Sequence, residues 1–161
     1  MTLSDVQLIL VFAVALMATR RAPLLYWATN LPGIAAHEVC HWLVALVLFG
    51  RPTGVSLLPR KMREGWTLGT VTVRAPRWWN MAPISLAPLA LLPISGEAYQ
   101  LLSSGTALIS WPHIGGLYLA ATLAVSSLPS SADWRHALSN PLPLVAVLIA
   151  ACAWLRWRGM I

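Results

Sequence analysis

The apolar residues of this chain come in blocks, and the blocks constrain the fold more than any other feature. Apolar stretches occupy roughly 3–19, 34–49, 115–128 and 141–157, with a proline-studded one at 81–93. They are sized for helices crossing hydrocarbon, and they follow neither one helix face nor alternate strand positions. Only 10% of the 161 residues are charged and 58% are hydrophobic, whereas a soluble domain carries about 25% charged residues. The expected architecture is therefore an all-α polytopic membrane protein of four to six transmembrane helices, with residues 1–161 as a single domain.

Details at the ends of the blocks support this reading. The first block starts with Asp5 rather than basic residues and ends at Arg20 and Arg21, so it reads as a retained helix and not a cleaved signal. Most of the nine tryptophans sit at block ends, as indoles do at the headgroup level, with Trp42 and Trp134 read as core packing. The net charge of +6 sits beside apolar blocks rather than in one run, so it points to membrane orientation and not to nucleic acid. In a five-span count, seven basic residues fall on one side and four on the other, which places the N-terminus and the loop 51–77 in the cytoplasm. Cys40 and Cys152 lie in apolar segments and make no disulfide framework.

The loop from Arg51 to Arg77 is the longest polar segment. Within it "TLGTVTVR" alternates, with Thr70 and Thr72 on one parity and Val71 and Val73 on the other. That period of two in β-branched residues predicts a strand, with "GVSLLP" as its hairpin partner. "MAPISLAPLALLP" follows, with Pro83, Pro88 and Pro93 spaced five apart. A helix with these prolines is kinked or broken, and its freed carbonyls need partners. The stretch "ISGEAYQLLSSGTALISW" fits a re-entrant piece, a short helix or a loop equally well.

The second block holds ionisable residues where they are costly: His37, Glu38 and His41 spell H-E-x-x-H. Residues four apart share a helix face, so the imidazoles can converge on one ion, with Glu38 placed to take a proton from activated water. Imidazole and carboxylate ligands around one open position suit Zn²⁺. With four His and three Glu in the chain, chance assembly of the motif is on the order of 0.2%. The plainer alternative is a polar pair bonded to neighbouring helices. A third ligand would come from Asp133, Glu97, His113 or His136. Asp133 follows a proline break in "LPSSADW", where it would otherwise cap a helix after Ser130 and Ser131. Glu97 reads as an exposed loop acid, His113 as interfacial and His136 as an outer partner of the metal ligands.

These motifs resemble the site-2 protease family of intramembrane zinc metalloproteases, in a minimal form without PDZ or CBS domains. That family carries H-E-x-x-H in one membrane helix and an aspartate ligand in a later one, after a proline-containing stretch. His37, Glu38 and His41 match the first motif in full. Pro129 and Asp133 match the second, with Trp134 where the family has glycine. The resemblance implies a Zn²⁺ cofactor on His37, His41 and Asp133, Glu38 as general base, and a single-span membrane protein as substrate. It further implies that a strand near the active site, here carrying Val71 and Val73, holds the substrate by β-addition; Asn80 is the nearest match to the family's asparagine motif. The competing functions are a non-catalytic metal-binding membrane protein, serving a transporter or binding partners, and a purely structural subunit. One difficulty follows from the span count. The second and fourth blocks run the same way, with His37 near the start of one and Asp133 at the end of the other. The two meet only if the helices are offset, broken or miscounted.

Overall fold

The computed structural model describes residues 3–62, 65–103, 110–139, 141, 142, 145, 149 and 156. The described chain is mostly helical, with two small sheets. Helix α1 (Leu3–Ala18) ends in a three-ten turn, Thr19–Arg21; a short α2 (Pro23–Thr29) and α3 (Leu31–Val47) follow. Four strands come next: β1 (Pro52–Ser56), β2 (Arg60–Met62), β3 (Gly65–Thr67) and β4 (Thr70–Val73). Helix α4 (Met81–Leu86) passes through a three-ten turn, Ala87–Ala90, into α5 (Leu91–Ser103); α6 (Trp111–Ser126) and α7 (Ser131–Ser139) complete the described elements. The expected last block, Pro141–Trp157, lies almost entirely outside the described residues.

Two helices are long and apolar enough to cross a membrane, Leu3–Arg21 and Met81–Ser103. The pair α6–α7, bent by 45°, makes a third if counted as one span. The outward side of α1 is apolar, with Leu10, Val11 and Val14 all exposed. Helix contacts are made through small side chains, as in membrane bundles: Ala45, Ala82, Ala120 and Ala121 are completely buried. Larger residues fill the remaining space in two clusters. One comprises Leu16, Tyr26, Ile34, Ala121 and Val125, the other Tyr99, Leu117 and Ala120; Ile9 and Phe12 of α1 pack against both.

The predicted hairpin is present, since β1 pairs antiparallel with β4 and sets Val55 opposite Val71 and Pro52 opposite Val73. A second hairpin, β2 with β3, has no signal in the alternation. The sheet is fastened to the end of α3 by a Schellman motif, in which Gly50 N donates to Ala45 O and Phe49 N to Leu46 O. The residue that turns left-handed there is Phe49, with φ 56°. Trp27 of α2 adds a tether, its indole N–H donating to Leu57 O at 2.7 Å. Of the two tryptophans read as core, Trp42 is half-buried and Trp134 is exposed on α7.

The arrangement of α3 against α6 decides whether the motif residues can meet. Tyr118 donates to Thr29 O, and His37 bonds Ser126 O, both at a separation of 89 residues. Gly33 packs on Thr122 between them. The helices therefore run parallel, but α3 starts beside the middle of α6. His37 reaches the last residue of α6 although it lies near the start of its own helix. Offset and break together remove the difficulty raised by the span count.

Gly33 permits this packing, because a Cβ there would lie 2.8 Å from the Thr122 carbonyl carbon and 2.5 Å from Ser126 Oγ. Gly33→Ala is expected to destabilise the protein by about 1–3 kcal/mol through overpacking, measured as a lower thermal midpoint in detergent. Gly115→Ala, where a Cβ meets nothing within 4 Å, serves as the control and leaves the midpoint unchanged or raised.

Candidate metal centre

His37 and His41 lie one turn apart on α3, so their rings share a face, at 4.7 Å between centroids and 81° between planes. Each ring is held by its Nδ1. His37 Nδ1 contacts Ser126 O at 2.6 Å, and His41 Nδ1 contacts Ile84 O at 2.7 Å. A carbonyl oxygen only accepts, so each Nδ1 carries a hydrogen, and in the neutral ring Nε2 then presents a bare lone pair. Those two Nε2 atoms face each other at 3.1 Å. Two neutral rings of this tautomer cannot bond to each other, so a proton or a metal cation shared between the Nε2 atoms is what makes this approach favourable.

The third corner is Asp133, whose Oδ1 lies 3.4 Å from His41 Nε2 and whose Oδ2 lies 3.5 Å from His37 Nε2. The three groups thus approach one another at 3.1, 3.4 and 3.5 Å, the last two distances being to different oxygens of the one carboxylate. Tetrahedral coordination with bonds of about 2.0–2.2 Å gives ligand–ligand edges of about 3.3–3.6 Å. His37, His41 and Asp133 can therefore hold a metal ion, and they form the one such group among the described residues.

Asp133 is also the helix cap that the sequence allowed as its alternative role. Ser130 N and Ser130 Oγ donate to Asp133 Oδ2 at 2.7 and 2.6 Å, and Asp133 N donates back to Ser130 Oγ at 3.2 Å. This reciprocal capping box opens α7. The cap and the ligand position are compatible, because the box occupies Oδ2 and fixes the carboxylate plane while the lone pairs of Oδ1, which faces His41 Nε2, stay available.

Of the other ligands considered, Glu97 is exposed on α5 and His136 is exposed on α7. His113 is 3% exposed and packs edge-on against Tyr99, 5.8 Å between centroids. Glu38 is 6% exposed and covered by Gly69, where a Cβ would fall 2.6 Å from Glu38 Oε1. Only a glycine lets the β3–β4 connection come so close. His37, Glu38, His41 and Asp133 all line one groove of about 1790 Å³, together with Val71 and Val73 of β4 and Lys61, Met62 and Trp66 of the second hairpin.

Asn80 does not line that groove and is fully buried. Its Oδ1 accepts from Arg77 N, and its Nδ2 donates to Leu48 O and Ala75 O. The amide is spent joining the end of α3 to the approach to α4, so it is not free to bind a substrate. Residues that pattern reading missed include Ser126 and Asn30. Asn30 Nδ2 donates to Ser126 Oγ at 2.9 Å and to Tyr26 Oη at 3.0 Å, steadying the residue whose carbonyl holds His37. Nothing in the local sequence signals this, since the contact spans 96 positions.

No family model matches the chain, and no curated protein or solved structure matches it either.

Replacing Asp133 separates its two roles. Asp133→Asn keeps an acceptor for Ser130 but removes the anionic ligand. Helix content should stay unchanged, while metal affinity falls by ~100-fold or more, beyond the 10–100-fold typical of outer partners. Metal content after equilibrium dialysis against Zn²⁺ is the measurement.

Proposed function

We propose that this chain is an intramembrane zinc metalloprotease, cleaving a peptide bond in or near the transmembrane segment of a membrane protein. The carrying observation is the pair of Nε2 atoms, 3.1 Å apart, converging with the Asp133 carboxylate beside a buried glutamate. Two imidazoles and one carboxylate with a fourth position open to the groove suit Zn²⁺. The apolar lengths of Leu3–Arg21 and Met81–Ser103 support placement in a bilayer. On this reading the chain crosses it four to six times, with the basic loop 51–77 on the cytoplasmic side.

A bound zinc ion supplies a Lewis acid that brings the pKa of water to about 7 and polarises the scissile carbonyl. Glu38 takes the proton of the attacking water and delivers it to the leaving amine. Asp133 and the two histidines stay fixed through the cycle, since each is anchored by a second hydrogen bond. A helical substrate must first be unwound, because its peptide groups are shielded by their own hydrogen bonds. β4 has a strand neighbour only on its β1 side among the described residues. An extended segment adding to its other edge would run along the groove past Val71 and Val73. The substrate class is a single-span membrane protein.

The close cover of Glu38 by Gly69 favours a second reading, a metal-binding membrane protein without catalysis that serves transport or partner binding. One variant decides between the two. Glu38→Gln should retain Zn²⁺ and lose about 10²–10⁴-fold in cleavage of a single-span reporter reconstituted in vesicles. Zinc binding without cleavage by the wild-type protein leaves the second reading standing, and absence of zinc binding removes both.

A further inference from the structure

The acceptor that orients His41 depends on a residue outside the groove. Ile84 O, which receives His41 Nδ1 at 2.7 Å, lies four residues before Pro88. In a regular helix the amide of residue 88 would donate to that carbonyl. Proline has no amide hydrogen, and its ring crowds the carbonyl four residues earlier. Ile84 O keeps one helical donor, Ala87 N, in the tighter geometry of the three-ten turn. A carbonyl oxygen has two lone pairs, so Ala87 takes one and His41 the other. An amide at position 88 would be a third claimant.

We infer that Pro88 is a positioning residue for the metal centre: by withholding an amide, it reserves the Ile84 carbonyl for His41 and so fixes the tautomer that turns Nε2 toward His37 and Asp133. Its placement fits that role. Pro88 is fully buried, it belongs to the three-ten turn Ala87–Ala90 that packs on α3, and α4 packs on both α3 and α7. Pro93, five residues on, is exposed on α5, and its loss would not affect Ile84.

The test uses the full-length protein in detergent and has two readouts. In metal-free protein, ¹⁵N chemical shifts of the histidine rings report the tautomer directly. Wild type should show His41 with hydrogen on Nδ1, whereas Pro88→Ala should show a mixture. Zn²⁺ affinity by chelator competition should fall 10–100-fold in Pro88→Ala and stay within about threefold in Pro93→Ala. Lactic acid incorporated at position 88 has an ester oxygen in place of the N–H and no ring. It should restore both readouts, which a general packing role for proline would not allow. The inference is overturned if Pro88→Ala keeps the Nδ1–H tautomer, or if the ester variant is as impaired as alanine. Should Pro88→Ala fail to fold, the ester variant alone decides on the same criteria. The affinity readout rests on the metal-centre reading, but the tautomer readout does not. Wild-type protein that binds no zinc would sink the metal reading while the tautomer still judges the role of Pro88.

Discussion

His37 and His41 each donate an imidazole N–H to a carbonyl on another helix, and the rest of the fold keeps those two acceptors in place. Each contact does two things. It takes a backbone-oxygen lone pair that the broken helical ladder leaves open, and it leaves the opposite nitrogen of a neutral ring bare. Both acceptors come from breaks in helical hydrogen bonding. Ser126 ends α6, and the amide that would continue the ladder, Ser130 N, donates to Asp133 instead. Ile84 precedes the three-ten turn at Pro88. Irregular backbone is expensive in a low-dielectric setting unless something fills it. Here the metal-centre histidines fill it.

The same economy extends to Asp133. A carboxylate at a helix start is ordinarily explained by the cap alone. In this chain Oδ2 takes the two Ser130 donors while each carboxylate oxygen also faces one imidazole Nε2. The 45° bend between α6 and α7 directs that carboxylate back toward α3. Packing of α4 against both α3 and α7 holds the two ligand-bearing helices together, so α4 carries structural weight without contributing a side chain to the triangle.

The groove adds a layer that helices alone would not supply. The β3–β4 connection lies on Glu38 through Gly69, while β4 presents Val71 and Val73 to the same space. The sheet is held from two sides, by the Schellman turn at Phe49 and Gly50 and by Trp27 bonded to Leu57 O. A strand edge and a buried acid are thereby held in one groove. That placement supports the peptide chemistry proposed for the site.

Much of this was legible in the residue pattern, because the signals are local. The apolar blocks marked α1, α3 and α6; alternation marked β4 and, through "GVSLLP", its partner β1; H-E-x-x-H placed two imidazoles on one face whatever surrounds them. Other features had no local signal. The short α2, the second hairpin and the role of Asn80 depend on contacts made only after the chain closes. Sequence determined that His37, Glu38 and His41 would stand together at the start of a helix, since helical periodicity settles that within five residues. Only the tertiary structure decided that Asp133, rather than Glu97, His113 or His136, completes the triangle. That choice depends on the half-helix offset of α3 against α6, permitted by the absence of a Cβ at Gly33, and on a bend whose direction no local pattern encodes.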